Sequence, residues 1–382
     1  VLNQTRLLET YYELIRVKSV SGNEQALADY LAKCLKDLGL EVKYTYYENS
    51  KNSPSIYSVL KGQGLGEGPT LLLTGHMDTV DVASGWNTDP FTPTIEGDKV
   101  YGLGACDMKG GLASIIETLR YIKENNVKLQ GDITVAFVSD EEVQSRGTYN
   151  LLTEHGLKAD MAIMAECRFT DAAVGFRGRY SINVSVKGKT GHASRYPNVG
   201  ENAVISASKL AIAIEQLPTL VHPKIGEGTW CIRHIEGGIK NTLSVPDKCD
   251  LLVDRYVVPG ESFDTCRDQI LNAAKSIGLQ GKVEVTLVHR PLPYMESFVI
   301  DENLPIVKSV VKNFRNVTGK EIELSYDKSV CDSNFLVTIG NIPTITFGPS
   351  GKNLHQSNEF GLISEILDCT KIYIDVIQDL LG

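Results

Sequence analysis

Apolar runs of strand length that stop at an acid or a histidine recur along this chain, and they constrain its fold more than any other feature. "LLLTGHMDTV" (71–80), "ITVAFVSDEEVQSRG" (133–147) and "MAIMAECRF" (161–169) are three of them, and "IPTITF" (342–347) leads into "GPSGKNLHQSNEF" (348–360). Helical patterns at 4–16, 24–38 and 109–125 are interleaved with strand patterns at 41–47, 55–60, 70–75, 132–138 and 161–165. Such alternation implies an α/β layered domain with a largely parallel sheet flanked by helices. In sheets of that kind the active groups gather beyond the carboxyl ends of the strands.

The pattern changes near residue 177. "GRYSINVSVKG" alternates as a half-exposed strand, "NAVISASKLAIAIEQL" reads as a helix, and "WCIRHIEG", "KCDLLVDRYV" and "KVEVTLVHR" are further strands around a helix that begins near Ser262. Alternating strands with two helices on one face make a compact α+β unit. Helix and strand patterns resume at 304–318, 321–325, 342–347 and 361–381. We therefore expect a catalytic domain in two parts, 1–176 and 291–382, interrupted by an inserted α+β domain over 177–290. A length of 382 residues agrees with two domains.

Composition narrows the partners. A net charge of −9 without any basic run argues against nucleic acid, and no apolar stretch approaches the roughly 20 residues of a membrane span. The first 22 residues read as an amphipathic helix with scattered charges and not as a signal peptide. Eight cysteines without a Cys-x-x-Cys spacing suit reduced thiols in a cytoplasmic protein.

The strand ends carry the chemistry. His76 and Asp78 stand in an i, i+2 pair, so on an extended chain both leave the same face. Asp107 lies in the glycine-rich turn "YGLGACDMKGG" (101–111), which matches no phosphate-binding fingerprint and taken alone suits a helix cap. Asp140, Glu141 and Glu142 end a strand, and their mutual repulsion calls for a cation nearby. Glu141 and Glu142 can share one site only if the strand has already ended, and they can then divide the roles of base and ligand. Glu166 and His355 follow two further apolar runs. Each residue alone could be a solvated strand end. Together His76, Asp107, Glu142, Glu166 and His355 form a set of two imidazoles and three carboxylates suited to two divalent ions, with one carboxylate bridging.

The segments "GHMDTV", "GLGACDMKGG", "SDEE", "AEC" and "HQSNE", in this order and at these intervals, resemble the di-zinc amidohydrolases that include acetylornithine deacetylase, succinyl-diaminopimelate desuccinylase, aminoacylase and glutamate carboxypeptidase. The resemblance spans nearly the whole chain. It implies that His76 and Glu166 hold one metal, that Glu142 and His355 hold the other, and that Asp107 bridges them from a turn with a cis peptide to the next residue. Asp78 would orient the His76 imidazole, and Glu141 would be the general base. The resemblance also implies that the inserted domain is a ferredoxin-like lid and dimerisation domain, that it supplies His192 to stabilise the oxyanion, and that Asn241 and Arg255 contact substrate. Two departures stand out. "AECRF" replaces the Glu-Pro of many members, and "CDSNF" (331–335) has Asn334 where desuccinylase-like members carry arginine.

Two ions on the order of 3.5–4 Å apart lower the pKa of a shared water towards neutrality, so that Glu141 can take its proton during attack on an amide carbonyl. The reading is a hydrolase of N-acyl amino acids using zinc, cobalt or manganese, working as a homodimer. A carboxypeptidase or dipeptidase is the alternative within the same chemistry, and a non-catalytic metal- or peptide-binding relative is the alternative outside it. An intact Glu141 beside Glu142 speaks against the latter. Cys106 and Cys331 flank site acids but have no partner arrangement of a nucleophile, which leaves oxidation sensitivity as their expected property.

Overall fold

The computed structural model describes residues 2–48, 50–63 and 68–382, and the chain divides into two compact units. The larger comprises Val1–Val174, Val299–Tyr326 and Cys331–Gly382. Its nine-stranded sheet is parallel at the centre, where Asp132–Val138, Thr70–His76, Met161–Met164 and Thr344–Thr346 run side by side. These strands are almost wholly buried, as the continuous apolar runs require of a sheet covered on both faces. Antiparallel strands Lys43–Thr45 and Ser55–Leu60 extend one margin, and Asp171–Phe176 pairs antiparallel on the other, so the whole sheet is mixed.

Helices cover the sheet through apolar stripes. In Gln4–Arg16, capped by Asn3 accepting from the Arg6 amide at 3.1 Å, the buried residues Leu7, Thr10, Tyr11, Leu14 and Ile15 recur at helical spacing. This helix packs on Gly110–Glu124, which packs in turn on Ile363–Leu381. Gly111 permits a close approach at the start of the middle helix. A Cβ there would stand 2.2 Å from the carbonyl oxygen of Ala165, the residue before Glu166. Among the described residues no helix is long and apolar enough to cross a membrane.

Strand register decides which residues meet. His76 pairs with Val138, while Thr74 and Thr346 both pair with Met164, so the four parallel strands finish almost level. Their carboxyl ends release Met77–Asp78, Ser139–Glu142, Ala165–Glu166 and Phe347 onward along one edge. A separate four-stranded sheet pairs Lys352 with Phe360 and closes the loop that carries His355. Its members Thr94–Glu96 and Lys99–Tyr101, like the helices Arg146–Thr153 and Asp332–Thr338, are too short for periodicity to announce.

The smaller unit comprises Gly175–Phe298 and Asp327–Val330. Its chain order is strand Gly178–Lys187, helix Ala203–Glu215, strands Thr229–Gly237 and Lys248–Val257, helix Phe263–Ser276 and strand Val283–Leu287. In the antiparallel sheet the second strand lies beside the third, the third beside the first and the first beside the fourth, which is the ferredoxin-like arrangement. Ile182, Val184, Val186, Leu251 and Val253 pack against Ala207, Leu210, Ile214 and Ile270 in its core.

Arg255 belongs to this framework, and the structure gives it a different task from the expected grip on a substrate carboxylate. Its side chain is fully buried and ion-paired with Glu261. It donates to the carbonyls of Tyr256 at 2.6 Å and Thr229 at 3.4 Å and lies 4.5 Å from the Trp230 ring centroid. Gly228 leaves it room, since a Cβ there would meet a guanidinium nitrogen at 2.3 Å. The charge is thus neutralised inside the unit. Arg255→Ala should therefore cost about 3–5 kcal/mol of stability, because Glu261 would remain buried without a counter-charge. Urea unfolding measures this. An unchanged midpoint, with kcat/KM lost only for substrates bearing a free carboxylate, would return Arg255 to substrate recognition.

Candidate metal centre

Asp107 stands between two histidines. Its Oδ1 lies 3.0 Å from His76 Nε2 and its Oδ2 lies 3.4 Å from His355 Nε2. Glu166 Oε1 is 3.2 Å from His76 Nε2, and both Glu142 oxygens are 3.1 Å from His355 Nε2. Ligand atoms of His76, Glu141 and Glu166 also fall within 4.8 Å of one another. The structure therefore brings together the five residues expected to hold metal, with Glu141 beside them. The peptide between Asp107 and Met108 is cis.

The donor set fits divalent cations. His76 Nδ1 lies 2.9 Å from the carbonyl oxygen of Asp78, which can only accept, so Nδ1 carries a hydrogen and Nε2 is the nitrogen free to ligate once its own proton leaves. Nitrogen and oxygen ligands at about 2.0–2.1 Å, held at tetrahedral angles, stand roughly 3.3–3.4 Å apart. The spacings around His76 and His355 lie close to that value.

The charges are crowded. Burial opposes the His76 imidazolium, yet the Glu166 and Asp107 carboxylates override it and hold His76 well above the ordinary histidine value. Hydrogen bonds donated to the Asp107 and Glu142 carboxylates carry His355 up to about 10. Burial would raise Asp107, but the two histidines outweigh it and hold this carboxyl below the usual carboxylate range. Glu141 is pushed well above that range by burial and by neighbouring acids, with Glu142 raised chiefly by burial as well. Two bound dications would relieve this crowding.

Asp78 acts differently from the expectation. Its carboxylate is 3.7 Å from His76 Nδ1, and the residue's backbone oxygen meets the ring instead. The carboxylate accepts from the amides of Glu141 at 3.0 Å and Glu142 at 3.1 Å, and from Ser21 Oγ at 2.7 Å. It fixes the turn that presents Glu141 and Glu142. That turn begins at Asp140, whose φ of 67° ends the strand direction and lets Glu141 and Glu142 share one site. Asp140 itself is paired with Arg146, at 2.7 Å to Nε and 2.5 Å to Nη2, so the cation it requires is a side chain.

Sequence reasoning assigned no role to Glu359. It is 2% exposed, and its carboxylate accepts from the amides of Gly104 at 2.9 Å, Cys106 at 2.8 Å and Asp107 at 2.9 Å. Burial pushes this carboxyl up to about 7 despite the three donors. Glu359 thereby ties the loop bearing His355 to the turn bearing Asp107. In the sequence it is the last residue of "HQSNE", a segment that carries the resemblance to the amidohydrolases without giving this acid a role. Asn334 is also fully buried, and its Oδ1 accepts from the Cys331 amide at 2.9 Å, closing the first turn of Asp332–Thr338.

His192 and Asn241 lie in the smaller unit, and both are exposed. His192 Nδ1 accepts from the Ser194 amide at 3.3 Å and sits 2.8 Å from Ser194 Oγ, which makes Nε2 the N–H donor of the ring.

Comparison with known proteins agrees with this geometry. Residues 72–379 match the family described as Peptidase family M20/M25/M40. The chain is 31% identical over 372 residues to the acetylornithine deacetylase of Aliivibrio salmonicida (strain LFI1238), covering 92% of each chain. It is 27% identical over 383 residues to the succinyl-diaminopimelate desuccinylase of Nitrosomonas eutropha (strain DSM 101675 / C91 / Nm57), covering 96% of each. A tripeptidase structure from Staphylococcus aureus subsp. aureus Mu50 superposes with a TM-score of 0.81 at 27% identity, covering 99% of this chain and 98% of that one. The chain belongs to peptidase family M20/M25/M40 and is a metal-dependent hydrolase of amide or peptide bonds.

Proposed function

We propose that this enzyme hydrolyses the amide bond of N-acyl amino acids with two divalent ions, zinc by preference. His76 and Glu166 would hold one ion, Glu142 and His355 the other, and Asp107 both. The observation that carries this reading is the Asp107 carboxylate, with one oxygen directed at each imidazole. The deacetylase and desuccinylase relatives support an N-acyl substrate. The likeness to a tripeptidase favours a second reading, a peptidase of short peptides such as a dipeptidase or carboxypeptidase. Asn334, engaged with its own helix and standing where desuccinylase-like members carry arginine, weighs against a succinyl group. A hydrolysis screen of N-acetyl, N-succinyl, dipeptide and tripeptide substrates with zinc, cobalt and manganese tests the reading. Turnover confined to peptides would transfer the assignment to the peptidase.

Bound ions would supply Lewis-acid polarisation of the substrate carbonyl and a water of lowered pKa. Glu141, grouped with His76 and Glu166, takes the proton of the attacking water and returns it to the leaving amine. Asp78 keeps Glu141 in position through its backbone amide. The exposed His192, with Nε2 as donor, suits stabilisation of the developing oxyanion. We place this histidine in the neighbouring chain's site, in a homodimer formed through the inserted domain, with Asn241 contacting substrate. Eight free thiols suit a cytoplasmic setting.

Glu141→Gln should retain both metals and lose at least about a thousandfold in kcat, within the 10²–10⁴ that acid-base catalysis carries. Metal analysis and turnover on one sample check this, and retained activity would exclude Glu141 as the base.

Metal uptake should release protons. With His355 up at about 10 and His76 also well above its ordinary value, both rings are imidazolium at neutral pH, whereas a ligand must be neutral. Zinc binding near pH 7 should therefore liberate about two protons per chain, and the number should fall as pH rises through the His355 value. Calorimetry in buffers of different ionisation enthalpy counts them. Binding without release would mean that the two rings are already neutral in the metal-free protein, or that neither is a ligand; unchanged metal content in His76→Ala and His355→Ala would show the latter.

His192→Ala and Glu141→Gln proteins, each nearly inactive, should regain roughly a quarter of wild-type activity when refolded together in equal amounts. Random pairing makes half the dimers mixed, and one of the two sites in each mixed dimer is complete. If His192 serves its own chain, no mixture contains a complete site. A mixture shown by mass spectrometry to hold mixed dimers, yet inactive, refutes the shared arrangement.

A further inference from the structure

Cys167 follows Glu166 where many members of the family have proline, and its place in the fold gives that departure a chemical meaning. The chain leaves the strand Met161–Met164 and turns sharply, with the Arg168 amide donating to the Glu166 carbonyl at 2.7 Å. This three-residue turn is centred on Cys167. Successive side chains on a strand point to opposite faces, but across this turn Glu166 and Cys167 come to the same side. Cys167 Sγ lies 3.7 Å from Glu166 Oε2, and ligand atoms of Asp107, Glu166 and Cys167 fall within 4.8 Å of one another. A sulfur ligand at about 2.3 Å and an oxygen ligand at about 2.1 Å, at a tetrahedral angle, stand roughly 3.6 Å apart. The observed spacing, made to Glu166 Oε2 while Oε1 faces His76, is close to that of two ligands on one ion. In the metal-free protein the same spacing holds a weak hydrogen bond from the thiol to the Glu166 carboxylate.

We propose that Cys167 is a further ligand of the metal held by His76, Asp107 and Glu166, and that its sulfur biases this position towards zinc and cobalt and away from manganese. The inference rests on the two-metal reading above. His76, Asp107 and Glu166 alone offer nitrogen and oxygen, a set that manganese accepts as readily as zinc. Adding sulfur makes a mixed set with a soft member, which favours thiophilic ions. On coordination the thiol proton would leave to solvent, and the thiolate would join Asp107 and Glu166, whose ligand atoms already fall within 4.8 Å of its sulfur. Glu142, His355 and the second oxygen of Asp107 remain for an ion bound by oxygen and nitrogen alone. The two positions then differ in softness.

The test is anaerobic titration of metal-free protein with cobalt(II), followed by absorption, for wild type, Cys167→Ala, Cys167→Ser and Cys106→Ala. Wild type and Cys106→Ala should show an intense thiolate-to-cobalt charge-transfer band in the near ultraviolet together with visible ligand-field bands. Both Cys167 variants should keep the visible bands and lose the charge-transfer band, and the retained visible bands report an intact site. Zinc affinity of the Cys167 variants should fall by at least about tenfold, while manganese affinity changes little. Visible bands in wild type without a charge-transfer band would overturn the proposal and leave the two-metal reading standing, with Cys167 only a neighbour of Glu166. A charge-transfer band that survives in Cys167→Ala and disappears in Cys106→Ala would assign the sulfur to the other thiol and overturn it equally. Absence of any cobalt binding would defeat both the proposal and the two-metal reading.

Discussion

The site depends on a single carboxylate that faces two imidazoles. Asp107 can present one oxygen to His76 and the other to His355 only if its backbone is held against the repulsion of Glu142 and Glu166. The holding is done by main-chain hydrogen bonds. Glu359 binds the amides of Gly104, Cys106 and Asp107, and Asp78 binds those of Glu141 and Glu142. Buried backbone donors need partners, and an ionised acceptor makes the stronger bond. Two acids outside the ligand set thus determine where the ligands stand. The site consists of an inner group of candidate ligands and an outer pair of acids bonded to the main chain.

Parallel strands explain why the residues meet at all. Side by side in one direction, the strands ending at His76, Val138 and Met164, together with Thr344–Thr346, deliver their loops to a common edge. An antiparallel neighbour would send its next loop to the opposite edge. This is why the margins of the sheet, where Ser55–Leu60 runs against Asp132–Val138, contribute framework and no ligand. His355 comes from the loop after Thr344–Thr346, carried across by the small sheet that pairs Lys352 with Phe360. Its φ of 58° lies in the left-handed region, and the same loop has Asn353 and Asn358 at similar angles. The hairpin is held in this conformation from both sides, by its own strand pairing and by Glu359.

The parts of this architecture that were legible in the sequence are those governed by local pattern. Continuous apolar runs at 70–76 and 132–138 marked buried strands, and the acids and histidines that ended them marked one edge, because strand direction turns sequence position into spatial position. Contacts between distant segments left no such trace. Glu359 finds its amide partners more than 250 residues away, so a pattern confined to its own neighbourhood cannot reveal them. Asp78 was visible as a companion of His76, but an i, i+2 spacing does not tell a carboxylate from a carbonyl two bonds along the same residue. The pairing of Arg255 was hidden for a related reason. On a strand of alternating pattern, a charged residue at an inward position looks like a functional group unless its counter-charge is seen, and Glu261 lies beyond the strand's end.

The fate of Arg255 bears on how such an enzyme tells substrates apart. A guanidinium that is fully buried, paired with Glu261 and stacked on Trp230 has already lost its hydration, and drawing it out to a ligand would leave Glu261 buried with an uncompensated charge. Recognition of a carboxylate by that route would have to overcome several kcal/mol, more than one exposed ion pair returns. If Asn241 and His192 meet substrate as proposed, discrimination would draw on hydrogen-bond donors of the smaller unit and not on the Arg255 guanidinium. Neutral donors distinguish acyl groups by shape and hydrogen-bond geometry more than by charge. A second carboxylate on the acyl group would have to find its partner elsewhere than Arg255, or be stripped of water without compensation.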